Sequence, residues 1–256
     1  MRLREPGPTP STIVVVHGGP GAAGEIAPLA EELARRGHGV LEPYQTQKTV
    51  TGQIEELHQA VQRECSKPIT LIGWSWGAWL GCFLAAKYPE VVGKLILVGS
   101  GPFEARDSET INGTRLSRLN EDERLEYKSL MEAFDDPENA TRLMELFDKM
   151  DGYATDDAPH PPVEIDASIH VPVWNEAAEM RSSGELLDVV SEIRCPVLAI
   201  HGDHDPHPAE GVERPLRAHL PKFTFKLLER CGHKPWREIY AKEAFFTELE
   251  KAMLET

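Results

Sequence analysis

The chain has 256 residues, of which 41% are hydrophobic and 27% charged, proportions typical of a soluble globular protein. A chain of this length buries about 70 to 75% of its unfolded surface, so its core needs neither disulfides nor a structural metal. The formal net charge of −15 argues against nucleic acid as a partner, because phosphate binding requires a basic surface.

The cysteines and the apolar segments bear on the compartment. Four cysteines are dispersed without a CxxC pair or a Cys/His cluster, which argues against a zinc site and for a reducing compartment: Cys65, Cys82, Cys195 and Cys231. No stretch approaches the roughly 18 apolar residues of a membrane helix, and the start, MRLREPGPTP, lacks the apolar core of a signal peptide. We therefore expect a cytoplasmic protein with no membrane partner.

Strand and helix patterns alternate through the first hundred residues. Short apolar runs predict strands at 12–16, 38–41, 69–72 and 94–98, and amphipathic spacing predicts helices at 25–36, 53–65 and 76–87. Such alternation requires right-handed crossovers and predicts an α/β fold, with a mostly parallel sheet that carries helices on both faces.

The alternation stops at Gly101 and resumes at Pro196, with strands at 196–200 and 223–228 and helices at 212–219 and 237–254. Between them we predict charged helices at 120–134 and 137–150, followed by a proline-rich segment at 159–172 with weak structural signals. Residues 104–192 hold 23 Asp and Glu against 8 Lys and Arg, which accounts for the whole charge excess. We predict a core domain of residues 1–102 and 194–256 and an acidic, mainly helical lid insertion at 103–193.

The most specific motif is Gly73-Trp74-Ser75-Trp76-Gly77, a GxSxG sequence between a predicted strand and a predicted helix. In that position a serine lies on a strained turn that exposes its hydroxyl, and the flanking glycines allow close backbone packing. A GxSxG sequence alone also fits an ordinary glycine-rich turn. Its context favours a nucleophile, since the following helix N-terminus stabilises negative charge at the reacting centre.

The second motif, His17-Gly18-Gly19-Pro20-Gly21, ends the first predicted strand. A serine that attacks a carbonyl creates an oxyanion, and each backbone N–H aimed at it lowers the barrier by about 3 kcal/mol. The candidate donors are the amides of Gly19 and Trp76. A plain strand-to-helix turn is the alternative interpretation.

Two later motifs complete a pattern: Gly202-Asp203-His204-Asp205 follows one predicted strand, and Gly232-His233 follows the last one. With HGGPG and GWSWG they occur in the chain order nucleophile, acid, histidine, and in this the sequence resembles the α/β-hydrolase superfamily. HGGPG with a tryptophan after the serine most resembles the proline iminopeptidase branch and its esterase relatives. The resemblance spans nearly the whole chain, although it covers the insertion least, and it implies the α/β-hydrolase fold.

Position by position, the resemblance implies Ser75 as nucleophile, His233 as catalytic histidine and Asp205 as the acid, with Asp203 left as an alternative. Histidine takes the serine proton, and a buried carboxylate fixes its tautomer and stabilises the imidazolium. Four other histidines are expected to support loops: His17, His201, His204 and His207. His204, Asp205 and His207 also resemble metal ligands but lack a partner cluster, so we expect neither a metal nor a cofactor.

The sequence departs from the iminopeptidase pattern in three places. Glu42 to Thr46 replaces its Asp-Gln-Arg-Gly type loop, and Trp74 stands before the serine where that branch usually has glycine. Only about ten residues precede the first predicted strand, too few for the customary leading pair of strands. We therefore expect a sheet of about six strands.

The predicted cleft is rich in aromatic residues. Three tryptophans flank the serine: Trp74, Trp76 and Trp79. Further aromatic residues lie on segments that we expect to reach the cleft mouth. Our candidate substrate-binding residues are Trp74, Phe103, Tyr153, Trp174 and Trp236. Singly, each fits a packing role, but as a set they indicate an apolar pocket. The acidic lid residues fit a solvated helix face, or one or two turn inward to bind a substrate ammonium.

Three hypotheses follow. The first is a cofactor-free serine hydrolase that cleaves a small ester, lactone or related acyl compound through an acyl-enzyme on Ser75. The second keeps this machinery but removes an N-terminal residue, such as proline, from short peptides. The third is a binding protein or a carbon–carbon bond lyase on the same scaffold, since a fold does not fix a function. The expected partner is thus a small molecule or a short peptide, and the sequence does not indicate an oligomeric state.

Overall fold

The computed structural model describes residues 2–254. The strands, in chain order, are β1 (Leu3–Arg4), β2 (Ser11–Val16), β3 (Ala22–Ala23), β4 (Val40–Pro43), β5 (Cys65–Trp74), β6 (Val92–Val98), β7 (Glu164–Ile165), β8 (Val197–Gly202) and β9 (Phe223–Leu228). The helices are α1 (Ala27–Arg35), α2 (Val50–Glu64), α3 (Trp76–Lys87), α4 (Ile111–Ser117), α5 (Glu121–Met131), α6 (Pro137–Asp151), α7 (Ala167–Ser183), α8 (Glu185–Ser191), α9 (Glu210–His219) and α10 (Lys242–Leu254).

Seven strands form one sheet in the order β1-β4-β2-β5-β6-β8-β9. Six of them run parallel, and β1 pairs antiparallel with β4 at one edge. The predicted mostly parallel sheet with flanking helices is confirmed. The strand beyond the expected six is Leu3–Arg4, whose two residues are too few to show a periodic pattern.

Helices cover both faces of the sheet because its strands are apolar on both sides. In β2, Val14 and Val16 contribute to one core cluster, while Ile13 and Val15 point to the other. Helix α3 is apolar all round, and every residue from Trp76 to Ala85 is buried. It therefore lies at the centre of the molecule, with its N-terminus at the carboxyl end of β5.

The insertion between β6 and β8 has two halves that pack differently. Helices α4 to α6 share a small apolar cluster of Leu119, Leu146 and Met150. Helices α7 and α8 instead bury Ile169 and Leu186, with neighbouring side chains, in the main core cluster. Strand β7 pairs antiparallel with β3, directly after the HGGPG sequence. The second half of the insertion is thus continuous with the core, and the first half forms a layer of its own.

The structure departs from the sequence prediction at α7 and α10, and it also contains α4 and α8, which the sequence did not predict. Helix α7 begins inside the segment with weak signals and contains Pro172, which removes one backbone hydrogen bond. A side-chain cap from Asp166 to the amide of Ser168 (2.8 Å) and the burial of Val173 offset that loss. The closing helix starts at Lys242 rather than residue 237, because the buried carboxylate of Glu238 accepts three backbone N–H bonds and holds the preceding segment in an irregular conformation.

Within residues 2–254, no helix combines the length and the apolar composition that crossing a bilayer demands.

Candidate active site

Ser75 lies on the sharp turn between β5 and α3. Its backbone has φ 54° and ψ −117°, a conformation that non-glycine residues seldom adopt and that lifts the side chain out of the strand. The turn is possible because Gly77 packs against β2: a Cβ there would stand 2.3 Å from the carbonyl oxygen of Val16. The amide of Ser75 donates to the carbonyl of Val98 at the end of β6 (3.0 Å).

The predicted acid and histidine meet at the same end of β6. His233 Nδ1 lies 2.7 Å from Asp205 Oδ2. Gly99, the residue after Val98, packs so closely on this pair that a Cβ would come within 3.0 Å of His233 Nδ1 and 3.3 Å of Asp205 Oδ2. Ser75 and His233 both line one cavity. Three side chains that are far apart in sequence therefore converge at the carboxyl edge of the sheet.

Asp205 is buried among three histidines. Burial alone would raise its pKa, but the facing rings of His233, His207 and His201 outweigh this and hold the pKa well below its usual range. The carboxylate is ionised and only accepts hydrogen bonds, so Nδ1 of His233 must donate to it. In the neutral ring, this tautomer leaves a lone pair on Nε2 of His233, which can accept a proton.

His207 is a second histidine on the same carboxylate. Its Nδ1 lies 2.7 Å from Asp205 Oδ1, its backbone N–H donates to the same oxygen at 2.9 Å, and its ring stacks on that of His233 with centroids 4.5 Å apart. Burial lowers the pKa of His207 to about 4, since the attraction of Asp205 offsets it only in part. We had expected a loop-supporting role, and a spacing of two residues from the acid was the only sequence signal for this contact.

The other expected loop histidines lie outside this contact, with His201 nearest. His201 Nε2 lies 2.8 Å from the carbonyl of His207 and 3.5 Å from Asp205 Oδ2. His204 packs edge-on against Tyr153. Asp203, the alternative acid, accepts a hydrogen bond from the amide of Cys231 (3.1 Å) and so supports the loop before His233.

The HGGPG turn is fixed to the helix behind the serine through Gln45. The Gln45 side chain donates to the carbonyl of His17 (3.2 Å) and accepts from Trp76 Nε1 (3.0 Å). Burial lowers the pKa of His17, which is therefore neutral, and its Nε2 accepts from the amide of Gln45 at 3.3 Å. The segment that replaces the expected loop thus joins the HGGPG turn to Trp76.

Gly19 and Trp76, the candidate oxyanion donors, both line the cavity with Ser75. Among residues 2–254, no acceptor takes a hydrogen bond from either of their amides. Unpaired amides beside a serine hydroxyl are suited to hold a developing negative charge.

The cavity has a volume of about 610 Å³ and extends from Ser75 under the insertion. Of the five predicted substrate-binding aromatics, Trp74 and Trp174 line it. The other three lie elsewhere: Phe103 is fully buried beside Trp79, Trp236 packs edge-on against Trp74, and Tyr153 is 47% exposed. Further apolar side chains that sequence reasoning did not assign come from the insertion: Ile111, Tyr127, Met131, Phe134, Leu143, Met144, Phe147 and Ile165.

The charged side chains of the cavity wall were also not predicted. Glu25 pairs with Lys234 (2.7 Å), and Asp151 forms a bidentate pair with Arg115 (2.7 Å for each bond). Most other acidic residues of the insertion face solvent or pair on its surface, as Glu126 does with Arg142 (2.7 Å). Periodicity alone does not distinguish an inward carboxylate from a solvated one.

Asp205, His207 and His233 place ligand atoms within 4.8 Å of one another, a spacing that a metal ion could use. The Nδ1 atom of each histidine is already hydrogen-bonded to the carboxylate, however, and two of the three residues are the candidate acid and base. His204, which we had grouped with the possible ligands, is not among them.

Comparison with known proteins agrees with this architecture. A pimeloyl-[acyl-carrier protein] methyl ester esterase from Nitrosomonas europaea is 22% identical over 241 residues, covering 88% of this chain and 89% of the relative. The crystal structure of VinJ superposes with a TM-score of 0.69 at 18% identity, covering 98% of this chain and 94% of the other. The crystal structure of proline iminopeptidase from Mycobacterium smegmatis superposes with a TM-score of 0.63 at 17% identity, covering 97% of this chain and 92% of the other. The alpha/beta hydrolase family model matches residues 13–246. The chain is therefore a hydrolase that belongs to the alpha/beta hydrolase family.

Proposed function

We propose that this protein hydrolyses a small ester, lactone or related acyl compound through an acyl-enzyme on Ser75. The observation that carries the proposal is the hydrogen bond from His233 to the buried Asp205 (2.7 Å) beside a cavity that both His233 and Ser75 line. The name of the Nitrosomonas europaea relative, a methyl ester esterase, supports the same reaction class.

The mechanism follows from the proton positions. Nε2 of His233 takes the hydroxyl proton as Ser75 attacks the acyl carbonyl, and ionised Asp205 stabilises the imidazolium that forms. The amides of Gly19 and Trp76 hold the oxyanion. The imidazolium then protonates the departing alkoxide, which leaves the acyl group on the serine. A water molecule, deprotonated by the same histidine, attacks the acyl-enzyme. The imidazolium then returns the proton to Oγ of Ser75 as the bond to the serine breaks and the acid is released.

The charge pattern of the cavity favours this proposal over the removal of an N-terminal amino acid. An aminopeptidase needs a carboxylate that is free to bind the substrate ammonium. Glu25 and Asp151 are the carboxylates of the cavity wall, and each lies in an ion pair with a cation of this chain.

Substitution of the serine tests the mechanism. Ser75→Ala should lower kcat for p-nitrophenyl esters by four to six orders of magnitude, and the circular dichroism spectrum should stay that of the wild type. A fluorophosphonate probe should label the wild type at this serine. An unlabelled protein, or full activity in the variant, would contradict the proposal and favour a binding or lyase function.

Two aspartates two residues apart provide a matched comparison. Asp205→Asn should lower kcat by about 10⁴-fold, because an amide cannot accept from both histidines and stabilise an imidazolium. Asp203→Asn keeps an oxygen acceptor for the Cys231 amide and should stay within about tenfold of the wild type. The reverse order would assign the acid to Asp203. A prolyl arylamide assayed in parallel should not be cleaved.

A further inference from the structure

One cationic side chain in the cavity wall has no carboxylate partner in the part of the chain that the structure describes. The wall contains five carboxylate, ammonium or guanidinium groups: Glu25, Arg115, Asp151, Arg181 and Lys234. Four form the two ion pairs described above, and the pKa of Lys234 is raised because Glu25 and a second carboxylate, Asp148 (2.9 Å), outweigh its burial. Arg181 forms no ion pair within residues 2–254.

Arg181 is held in place but not neutralised. It projects from α7 with its guanidinium carbon 5.5 Å from the ring centroid of Trp79, a cation–π distance. Its Nε is buried and has no hydrogen-bond acceptor among the described residues. Burial lowers the pKa of Arg181, and no acidic neighbour between residues 2 and 254 offsets this effect, yet a guanidinium stays charged at neutral pH. An unsatisfied buried donor is costly, and a bound anion would satisfy it.

The surroundings of Arg181 strengthen its pull on an anion. The rings of Trp79 and Trp174 are parallel, with an interplanar angle of 1° and centroids 6.1 Å apart. The ring of Trp174 stacks in turn on that of His170, with centroids 6.3 Å apart. Burial lowers the pKa of His170, so this ring is uncharged at neutral pH and does not compete with Arg181 for an anion. Apolar aromatic walls lower the local dielectric constant, which makes a charge–charge contact stronger than it is at an open surface.

We propose that the acyl substrate carries a carboxylate, which Arg181 binds while the ester carbonyl lies at Ser75. The natural substrate would then be an ester of a dicarboxylic acid whose second carboxyl group is free, with its apolar chain against the tryptophans. A guanidinium pairs with a carboxylate in a bidentate manner, so Arg181 would fix the orientation of the chain as well as its charge. This inference rests on the proposed ester hydrolysis and adds the substrate class.

The test compares matched esters. Mono-p-nitrophenyl esters of dicarboxylic acids with four to ten carbons are assayed against p-nitrophenyl esters of monocarboxylic acids of equal length, and the ratio of their kcat/KM values is measured. We expect Arg181→Gln to lower this ratio about ten- to a hundred-fold at the preferred length, and Arg181→Lys to lower it less. Arg142→Gln, which removes an arginine paired on the surface of the insertion, should leave the ratio unchanged.

Binding separates this inference from the proposed function. Ser75→Ala protein is titrated calorimetrically with the free dicarboxylates, with and without Arg181→Gln. Tighter binding of dicarboxylates than of matched monocarboxylates, lost in the double variant, supports the subsite even if no ester is hydrolysed. An unchanged selectivity ratio at every chain length, or equal binding by both proteins, would overturn the subsite and leave the esterase proposal intact.

Discussion

The two histidines on one carboxylate lead to a prediction about stability and pH. Replacing His207 with glutamine removes a titrating ring, while an amide N–H can still donate to Asp205. The change should therefore make the free energy of unfolding less dependent on pH. The effect should occur in the pH interval between the unperturbed pKa of histidine and the lowered pKa of His207 in the folded protein.

The magnitude follows from the shift. In the unfolded chain the histidine takes up a proton near pH 6.5, whereas in the folded protein His207 has a pKa of about 4 and stays neutral. The unfolded state thus binds more protons in this interval, so stability falls as the pH falls. At 1.36 kcal/mol for each pKa unit, His207 accounts for a loss of about 2 kcal/mol between pH 7 and pH 5, and about 3 kcal/mol in full.

Urea unfolding, followed by tryptophan fluorescence, measures the effect at each pH. The wild type should lose about 2 kcal/mol more than His207→Gln between pH 7 and pH 5, because other buried histidines such as His17 contribute equally to both proteins. Between pH 7.5 and 9 the ring is neutral in both states, so the two stability curves should run parallel. Equal losses from pH 7 to pH 5 would refute the reasoning.

Two substitutions probe the packing around the site, each with a control. Gly77→Ala places a Cβ 2.3 Å from a backbone carbonyl of β2 and should lower the free energy of unfolding, measured in urea, by about 3 kcal/mol or more. At Gly113 a Cβ would have no packing neighbour within 4 Å, so Gly113→Ala should raise the free energy of unfolding by up to about 1 kcal/mol. Arg115→Met leaves the buried carboxylate of Asp151 uncompensated and should cost about 3 to 5 kcal/mol, against less than about 1 kcal/mol for Arg142→Met on the surface. Equal costs within either pair would contradict these assignments.

The parts of the structure that sequence could predict are those in which a local pattern fixes the conformation. The run of β-branched residues in β2 predicts a strand, and the GxSxG sequence at the start of α3 predicts the sharp turn of Ser75. The resemblance to the α/β-hydrolase superfamily, carried by the order of the motifs, implied Asp205 as the acid beside His233 and left Asp203 as an alternative. Parallel strands bring their carboxyl ends to one edge of the sheet, and Asp205 and His233 meet there.

The rest depends on contacts between distant segments. The sequence did not predict helix α7 because Pro172 masks its pattern, and the Asp166 cap together with burial against the core stabilises the helix. That Arg181 has no partner while Arg115 does is decided by which residues face them across the cavity, and no spacing along the chain encodes this. Phe103, predicted at the cleft mouth, lies behind Trp79 for the same reason: a strand end fixes where a segment starts and leaves the direction of its side chains open.

The short pairing of β3 with β7 has a consequence for how a substrate enters. It fastens the insertion to the residues that follow the HGGPG sequence, and α7 and α8 are anchored in the core. Helices α4 to α6 share a small apolar cluster of their own and reach the core through polar contacts, such as the ion pair of Asp148 with Lys234 (2.9 Å). We therefore expect that opening of the cavity breaks the polar contacts of these three helices and leaves the β3–β7 pairing intact, so that the backbone around Gly19 keeps its conformation.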